Sequence, residues 1–181
     1  MVGDSLSAEY GLKRGSGWVA LLAARLRDRK MASPVVNASI SGDTTSGGRS
    51  RLPALLKQHR PGVVILELGG NDALRGLPLS MTQDNLDAMA RAAKAAGAQV
   101  LIAGMQLPPN YGRRYGADFS ALFAAVARAQ GAALVPFLLK NVADIPAADA
   151  MFQGDRIHPK EAAHPIILEN VWPVLEPLLR G

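Results

Sequence analysis

Cysteine is absent from the 181 residues of the chain, and two other kinds of residue are scarce: aromatic residues make up 5% and histidine occurs three times. Without cysteine, disulfides and thiolate zinc sites are excluded, so thiol usage says nothing about the redox compartment. With few aromatic rings, aliphatic side chains must build most of the core. Three histidines leave few candidates for proton transfer near neutral pH.

Long apolar runs are also missing. No stretch approaches the roughly 20 apolar residues that a membrane-spanning helix needs. The chain as given does not begin with a basic segment followed by an apolar one, so it carries no secretory signal. The sequence therefore leaves the compartment open.

The charge is moderately basic, with 20 Lys and Arg against 15 Asp and Glu, a formal net charge of +5. Such a balance suits an anionic partner, for example a membrane surface or nucleic acid. The basic residues are scattered, however, and no set of aromatic side chains is interleaved with them for base stacking. We expect a solvated surface and no nucleic-acid binding.

The composition is that of an ordinary globular protein, with 49% hydrophobic and 19% charged residues. The length allows one domain with a sizeable core. Because repeats, low-complexity tracts and linkers are also missing, we expect a single domain over residues 1–181, and a monomer.

Apolar runs of strand length alternate with longer segments of helical period, which indicates a parallel sheet covered by helices. The predicted strands are 34–40, 62–70, 98–107 and 132–139. The predicted helices are about 16–30, 50–60, 81–96, 117–130 and 160–179. Local signals refine the helix ends: a capping box at Ser80 and Gln83, stop signals at Gly97 and Gly131, and prolines that should kink or break the last helix at 165, 173 and 177.

Ligands of open parallel sheets bind outside the carboxyl ends of the strands, so the segments after the predicted strands are the place to search. Those segments are 41–48, 69–76, 108–116 and 140–159. Common motifs do not explain them. GSGWVA at 15–20 has no strand before it for a dinucleotide site, and no P-loop, H-E-x-x-H or G-x-S-x-G motif occurs.

Four short blocks remain: VGDSLS (2–7), SGD (41–43), GGND (69–72) and DRIH (155–158). In this order they resemble the signature regions of the SGNH or GDSL hydrolases, a family of serine esterases. The segments NASISGDT, RLPALLKQH, ELGGNDALRG, LPPNYGRRY and IHP are similar to its bacterial branch of multifunctional acyl-thioesterases, lysophospholipases and arylesterases. The resemblance covers essentially the whole chain and implies a three-layer α/β/α sandwich of flavodoxin-like type with a mostly parallel sheet.

The resemblance also implies roles for individual residues. Ser5 matches the nucleophile, His158 the general base and Asp155 the acid that orients it, while Ser5 N–H, Gly42 and Asn71 match the oxyanion hole. The chemistry agrees: a serine hydroxyl needs an adjacent base, and an acid three residues before a histidine can reach its Nδ1 hydrogen. Glycine lets backbone approach a substrate, and an asparagine amide donates without titrating.

The loop LPPNYGRRYG follows a predicted strand, so we expect it beside the cleft. Tyr111, Arg113 and Arg114 could contact an acyl or head group there; the alternative is an ordinary surface loop.

Four other polar residues have simpler interpretations. We expect Asp4 and Asp72 to bond loop N–H groups and His59 to lie at a helix end, where a partly cationic ring suits the helix dipole. His164 is the one rival base, but no acid precedes it at the matching spacing, so we expect it to pack against a helix.

Two departures from the family pattern occur near the start. Only Met1 and Val2 precede Gly3, where the family has a strand of several apolar residues, so we expect a truncated first strand and a longer native gene product. An upstream strand with an export signal would imply a periplasmic or secreted protein. Glu9 stands where the branch has a small residue, so its carboxylate either alters substrate preference or faces solvent.

These observations predict a serine hydrolase that cleaves carboxylic esters and thioesters through an acyl-enzyme on Ser5, without a metal or cofactor. A carbohydrate O-deacetylase would carry the same four blocks and is the first alternative. The second is a catalytically silent binding module for anionic lipid or nucleic acid, which the net charge of +5 and the short first strand would suit.

Overall fold

The computed structural model describes residues 1–180. In this part of the chain four strands alternate with seven α-helices. In chain order they are β1 (Val2–Gly3), α1 (Trp18–Asp28), α2 (Thr45–His59), β2 (Val63–Glu67), α3 (Gly70–Leu74), α4 (Leu79–Ala95), β3 (Gln99–Ala103), α5 (Arg113–Gln130), β4 (Ala133–Val135), α6 (Ala148–Met151) and α7 (His164–Arg180).

The strands form one parallel sheet in the order β1-β2-β3-β4, which confirms the predicted sheet. Val2, Leu66, Ile102 and Leu134 lie in register across it, and Leu66 and Ile102 are fully buried. Helix α1 packs on α7, whereas α2 packs on α4 and α4 on α5. The two helix groups cover the sheet as outer layers, which gives the predicted α/β/α arrangement.

The predicted strand at 34–40 is wrong, although the segment runs along β1. The Met1 ammonium donates to the Val36 carbonyl at 2.9 Å, Ala38 N–H to the Met1 carbonyl at 2.9 Å, and Ile40 N–H to the Gly3 carbonyl at 3.0 Å. Because β1 has only two residues, the ladder is too short for the segment to form a strand. The first strand is therefore as short as the sequence indicated, with two residues.

Two helix starts also differ from the prediction. Helix α2 begins at Thr45 rather than at residue 50, because the Thr44 hydroxyl accepts a hydrogen bond from Gly47 N–H at 3.2 Å and caps the helix. The capping box at Ser80 is wrong, since Pro78 is the N-cap of α4 and no side chain caps it. Gly131 ends α5 in the left-handed conformation with φ 56°, as predicted.

The last helix is continuous over His164–Arg180 with Pro173 and Pro177 inside it, so the predicted break does not occur. Tertiary contacts offset the missing backbone bonds. Val171 is fully buried, and the Asn170 amide donates to the carbonyls of Leu138 at 2.9 Å and Lys140 at 2.7 Å.

Candidate active site

The four blocks converge at the carboxyl edge of the sheet. Ser5 follows β1 directly, and Asn71 lies in the first turn of α3, a short helix that begins just after β2. Gly3 pairs with Glu67 in the sheet, so the loops that follow β1 and β2 leave it side by side. The segments around Gly42 and His158 meet them from neighbouring loops through the contacts described below.

A hydroxyl, an imidazole and a carboxylate are hydrogen-bonded in line here. Ser5 Oγ lies 2.8 Å from His158 Nε2, and His158 Nδ1 lies 2.6 Å from Asp155 Oδ2. The His158 side chain is 17% exposed and that of Asp155 36%. The structure thus brings together three residues that are separated by up to 153 positions in the chain, in the order that the chemistry of an activated serine requires.

The turn 155–158 is organised by Asp155. Its Oδ1 accepts hydrogen bonds from the N–H groups of Ile157 at 2.9 Å and His158 at 3.0 Å, while Arg156 adopts φ 58°. The backbone and side-chain hydrogen bonds from His158, followed by the one from Ile157, lower the pKa of Asp155 to about 2. Asp155 is therefore a carboxylate at neutral pH and keeps the His158 hydrogen on Nδ1.

Tyr10 is a neighbour of His158 that sequence reasoning missed. The two ring centroids are 4.2 Å apart and the planes are inclined by 37°. The Gln153 amide donates to the Tyr10 carbonyl at 2.9 Å and to the Pro159 carbonyl at 3.1 Å. It therefore joins the loop that carries Ser5 and Tyr10, called the serine loop below, to the segment that carries His158. No sequence pattern marks this contact, because it joins residues far apart in the chain.

The backbone N–H groups of Ser5 and Gly42 have no protein acceptor among the described residues. Gly42 has φ 79°, a conformation that favours glycine, and its carbonyl accepts a hydrogen bond from the Arg75 guanidinium at 2.8 Å. Arg75 thus holds the peptide group that follows Gly42. The two N–H groups are available to an external oxyanion.

Asn71 is engaged more fully than the sequence indicated. Its Nδ2 donates to Asp4 Oδ2 at 3.0 Å and to the Asp43 carbonyl at 2.9 Å. An amide nitrogen carries two hydrogens, so both are used within the protein. To donate to a bound substrate, Asn71 has to redirect one of them.

Asp4 and Asp72 hold loops, as expected. Asp4 Oδ1 accepts from Leu6 N–H at 3.0 Å, and Asp72 Oδ2 accepts from Thr45 N–H at 2.9 Å. Burial is the largest cause that raises the pKa of Asp4, to about 6.

Glu67, at the end of β2, is a second residue that sequence reasoning missed. It is 1% exposed, and its Oε2 accepts hydrogen bonds from Ser7 Oγ at 2.7 Å and Asp4 N–H at 3.3 Å. Burial, followed by the charge of Asp4, raises its pKa well above its ordinary value. A carboxylic acid inside an otherwise apolar strand, GVVILEL, was the available signal.

The other two histidines lie away from Ser5, as expected. His164, the first residue of α7, is 2% exposed, and its Nδ1 accepts a hydrogen bond from Trp18 N–H at 3.0 Å. It therefore packs against the start of α1. Burial lowers its pKa. His59 is exposed at the last position of α2.

Glu9 neither faces solvent freely nor points at Ser5. Its Oε1 accepts from the N–H groups of Gly15 and Gly17, each at 2.9 Å, so it closes the loop that leads into α1. Glu9 itself has φ 61°.

Tyr111, Arg113 and Arg114 lie where the chain enters α5, on the same edge of the sheet as Ser5. The Arg114 side chain is 97% exposed and pairs at 3.9 Å with Asp118 of its own helix. Their contact with substrate stays a prediction.

Two kinds of feature are absent from residues 1–180. No helix there is both long enough and apolar enough to cross a membrane. No group of three or more His, Asp or Glu side chains is arranged to hold a metal ion in that part of the chain.

A parallel α/β sheet with a serine, a histidine and an aspartate hydrogen-bonded in line at its carboxyl edge defines the class of serine hydrolases. The family follows from comparison with known proteins. The chain belongs to the GDSL-like lipase/acylhydrolase family, whose model matches residues 1–166.

Individual relatives are similar over nearly the whole chain. Esterase TesA of Pseudomonas aeruginosa is 55% identical over 179 residues, which are 99% of this chain and 88% of that protein. Thioesterase 1/protease 1/lysophospholipase L1 of Escherichia coli K12 is 43% identical over 99% of this chain and 83% of that protein. The crystal structure of the esterase EstA from Pseudoalteromonas, inhibited by monoethylphosphonate, has a TM-score of 0.91 at 37% identity and covers 99% of this chain and 97% of that one.

Proposed function

We propose that this enzyme hydrolyses carboxylic esters and thioesters through an acyl-enzyme on Ser5. The observation that carries the proposal is the continuous path of hydrogen bonds from Ser5 Oγ through His158 to Asp155, with contacts of 2.8 and 2.6 Å. An imidazole oriented in this way can accept the hydroxyl proton as the oxygen attacks.

The proton and bond changes follow from this geometry. Ser5 Oγ forms a bond to the acyl carbon while its proton moves to His158 Nε2. The carbon–oxygen or carbon–sulfur bond then breaks, and His158 returns the proton to the leaving alcohol or thiol. Water enters, gives a proton to His158 and attacks the acyl carbon, so that the carboxylic acid leaves and Ser5 regains its hydrogen.

The negative oxygen that develops on the acyl carbon needs donors. The N–H groups of Ser5 and Gly42 are candidates, because neither forms a hydrogen bond to a protein acceptor among the described residues. Asn71 supplies a third donor when its side chain rotates so that the N–H now donated to the Asp43 carbonyl turns toward the substrate. Both hydrogens of the planar amide move together, so the N–H donated to Asp4 Oδ2 shifts with it.

The surroundings of the site support an acyl substrate. Tyr10, Leu74 and Ile157 are among the few large hydrophobic side chains that are exposed, at 49%, 43% and 46%, and each lies within five residues of a site residue in the sequence. An apolar rim suits an alkyl chain better than a polar sugar. Tyr111, Arg113 and Arg114 would then contact the head group or the leaving group.

The names of the relatives agree with this substrate class, since one is an esterase and another a thioesterase and lysophospholipase. A panel of purified substrates tests it: a medium-chain aryl ester, an acyl thioester, a lysophospholipid and an acetylated sugar. We expect turnover of the first three, and a loss in Ser5→Ala on the order of 10⁶ in kcat. A clear preference for the acetylated sugar would instead indicate a carbohydrate deacetylase. Salt-sensitive binding of anionic lipid without any turnover would indicate a binding module.

A further inference from the structure

Two carboxyl groups are buried together beneath the site without a cation to balance both. Asp4 is 3% exposed and Glu67 is 1% exposed. Among the described residues, neither forms a salt bridge with a lysine or arginine. Two adjacent buried carboxylates repel each other and are poorly solvated, so one proton is expected to remain on the pair.

The contacts indicate which residue keeps that proton. Asp4 uses both oxygens as acceptors, Oδ1 from Leu6 N–H and Oδ2 from the Asn71 amide, as a carboxylate does. Glu67 accepts only through Oε2, and its Oε1 is buried with no hydrogen-bond partner. An oxygen that receives no donor is the natural place for a hydrogen.

The charged groups near the pair are few. Asp43 and His158 act on Asp4 from the neighbouring loops, and Asp4 is the one charge that acts on Glu67. The Arg51 guanidinium donates to the Gly3 carbonyl at 3.4 Å and forms its salt bridge with Asp43 at 2.8 Å. Arg51 is therefore paired with Asp43 and not with Glu67.

We propose that Glu67 is a positioning residue whose protonated carboxyl holds Ser7 and Asp4, and through Asp4 the Asn71 amide and the turn that carries Ser5. Glu67 touches no reacting atom. It lies against Gly3, where an added Cβ would come within 2.7 Å of Glu67 Oε2, so it spans the short strand β1 to reach the serine loop. The proposal rests on the proposed function and assigns this carboxylic acid to the same site.

Two variants, Glu67→Gln and Glu67→Leu, test whether Glu67 acts as a protonated acid. The Gln side chain keeps an oxygen for Ser7 and is uncharged, like a neutral acid, whereas Leu offers no acceptor. We expect Glu67→Leu to lower kcat about 10- to 100-fold with little change in KM, because it removes the acceptor of the Ser7 hydroxyl and the Asp4 N–H. We expect Glu67→Gln to recover at least about tenfold of that loss.

The pH dependence of kcat distinguishes a positioning role of Glu67 from a purely structural one. In the wild type, kcat should fall as the pH rises and Glu67 ionises beside Asp4, and Glu67→Gln should lack that fall. Equal kcat losses in Gln and Leu, or unchanged kcat in Leu, would overturn the proposal.

A spectroscopic test does not depend on turnover. The infrared spectrum of the wild type at neutral pH should contain the carbonyl band of a buried protonated carboxylic acid, and Glu67→Gln should lack it. The absence of this band in the wild type refutes the protonated Glu67 even if the enzyme is active. Its presence in a protein without esterase activity would refute the proposed function and leave the proton assignment standing.

Discussion

The phenol ring of Tyr10 lies against the imidazole ring of His158, with centroids 4.2 Å apart. Tyr10 is 49% exposed, so this contact limits the motion of His158 on the side that solvent reaches. We predict that Tyr10→Ala lowers kcat about 2- to 10-fold, because the variant loses the free energy of one aromatic contact with His158. Tyr10→Phe keeps the ring and is the matched control. Equal kcat in all three proteins would contradict a role for the ring.

Asp155 is expected to act as a fixed carboxylate. We predict that Asp155→Asn lowers kcat by a factor on the order of 10⁴, because an amide no longer keeps the hydrogen on Nδ1. The pKa of about 2 means that Asp155 stays ionised well into the acidic range, so the loss should be the same at neutral and mildly acidic pH. Asp149→Asn is the control, since Asp149 is 81% exposed and pairs with Arg156 at 3.7 Å in the same region. A loss of similar size in the control would show that the loop, not the carboxylate, is responsible.

Glu9 should matter for stability rather than for substrate choice. Removal of the acceptor for Gly15 and Gly17 in Glu9→Ala is predicted to lower the free energy of unfolding by about 1 to 2 kcal/mol. Urea unfolding measures the change, and Glu9→Gln, which keeps one acceptor oxygen, should lose less. A changed ratio of ester to thioester turnover with unchanged stability would instead place Glu9 at the substrate.

The buried pair also makes stability depend on pH. A carboxyl whose pKa is higher in the folded chain stays protonated after the unfolded chain has lost its proton, so raising the pH favours unfolding. The pH range in which this stability is lost runs from 3.8 to about 6 for Asp4. For Glu67 it begins at 4.5 and extends upward. We predict that the melting temperature of the wild type, relative to Glu67→Gln, falls as the pH rises above about 4.5.

Exposed Glu161 supplies the control for this comparison. Glu161→Gln should follow the wild type through the same pH range. Parallel curves for the wild type and Glu67→Gln would mean that Glu67 is ionised in the folded protein.

Much of this arrangement could be predicted from the sequence because the informative signals are local. The strands β2, β3 and β4 lie within predicted apolar runs, the block GGND follows β2, and the block VGDSLS begins with β1. Ser5, His158 and Asp155 were named from motif and order, and the structure brings them within hydrogen-bond distance. The expectations of a single domain over residues 1–181 and of a monomer stay predictions.

What the sequence did not predict depends on contacts between distant residues. Tyr10 meets His158 across the cleft, and Glu67 meets Asp4 and Ser7 across β1. The segment 34–40 has the composition of a strand, but the neighbouring strand β1 has only two residues and is too short to pair with it as a strand. Composition and spacing carry no information about such pairings, since they arise only when the sheet is assembled.

The proposed function depends above all on an activated Ser5, and covalent labelling tests this activation most directly. The measurement is the intact mass after treatment with a fluorophosphonate, followed by peptide mapping, on wild type, Ser5→Ala and His158→Ala. We predict a single adduct on Ser5 in the wild type that is absent from Ser5→Ala and His158→Ala. Folded wild-type protein that forms no adduct, or forms it on another residue, would contradict the account.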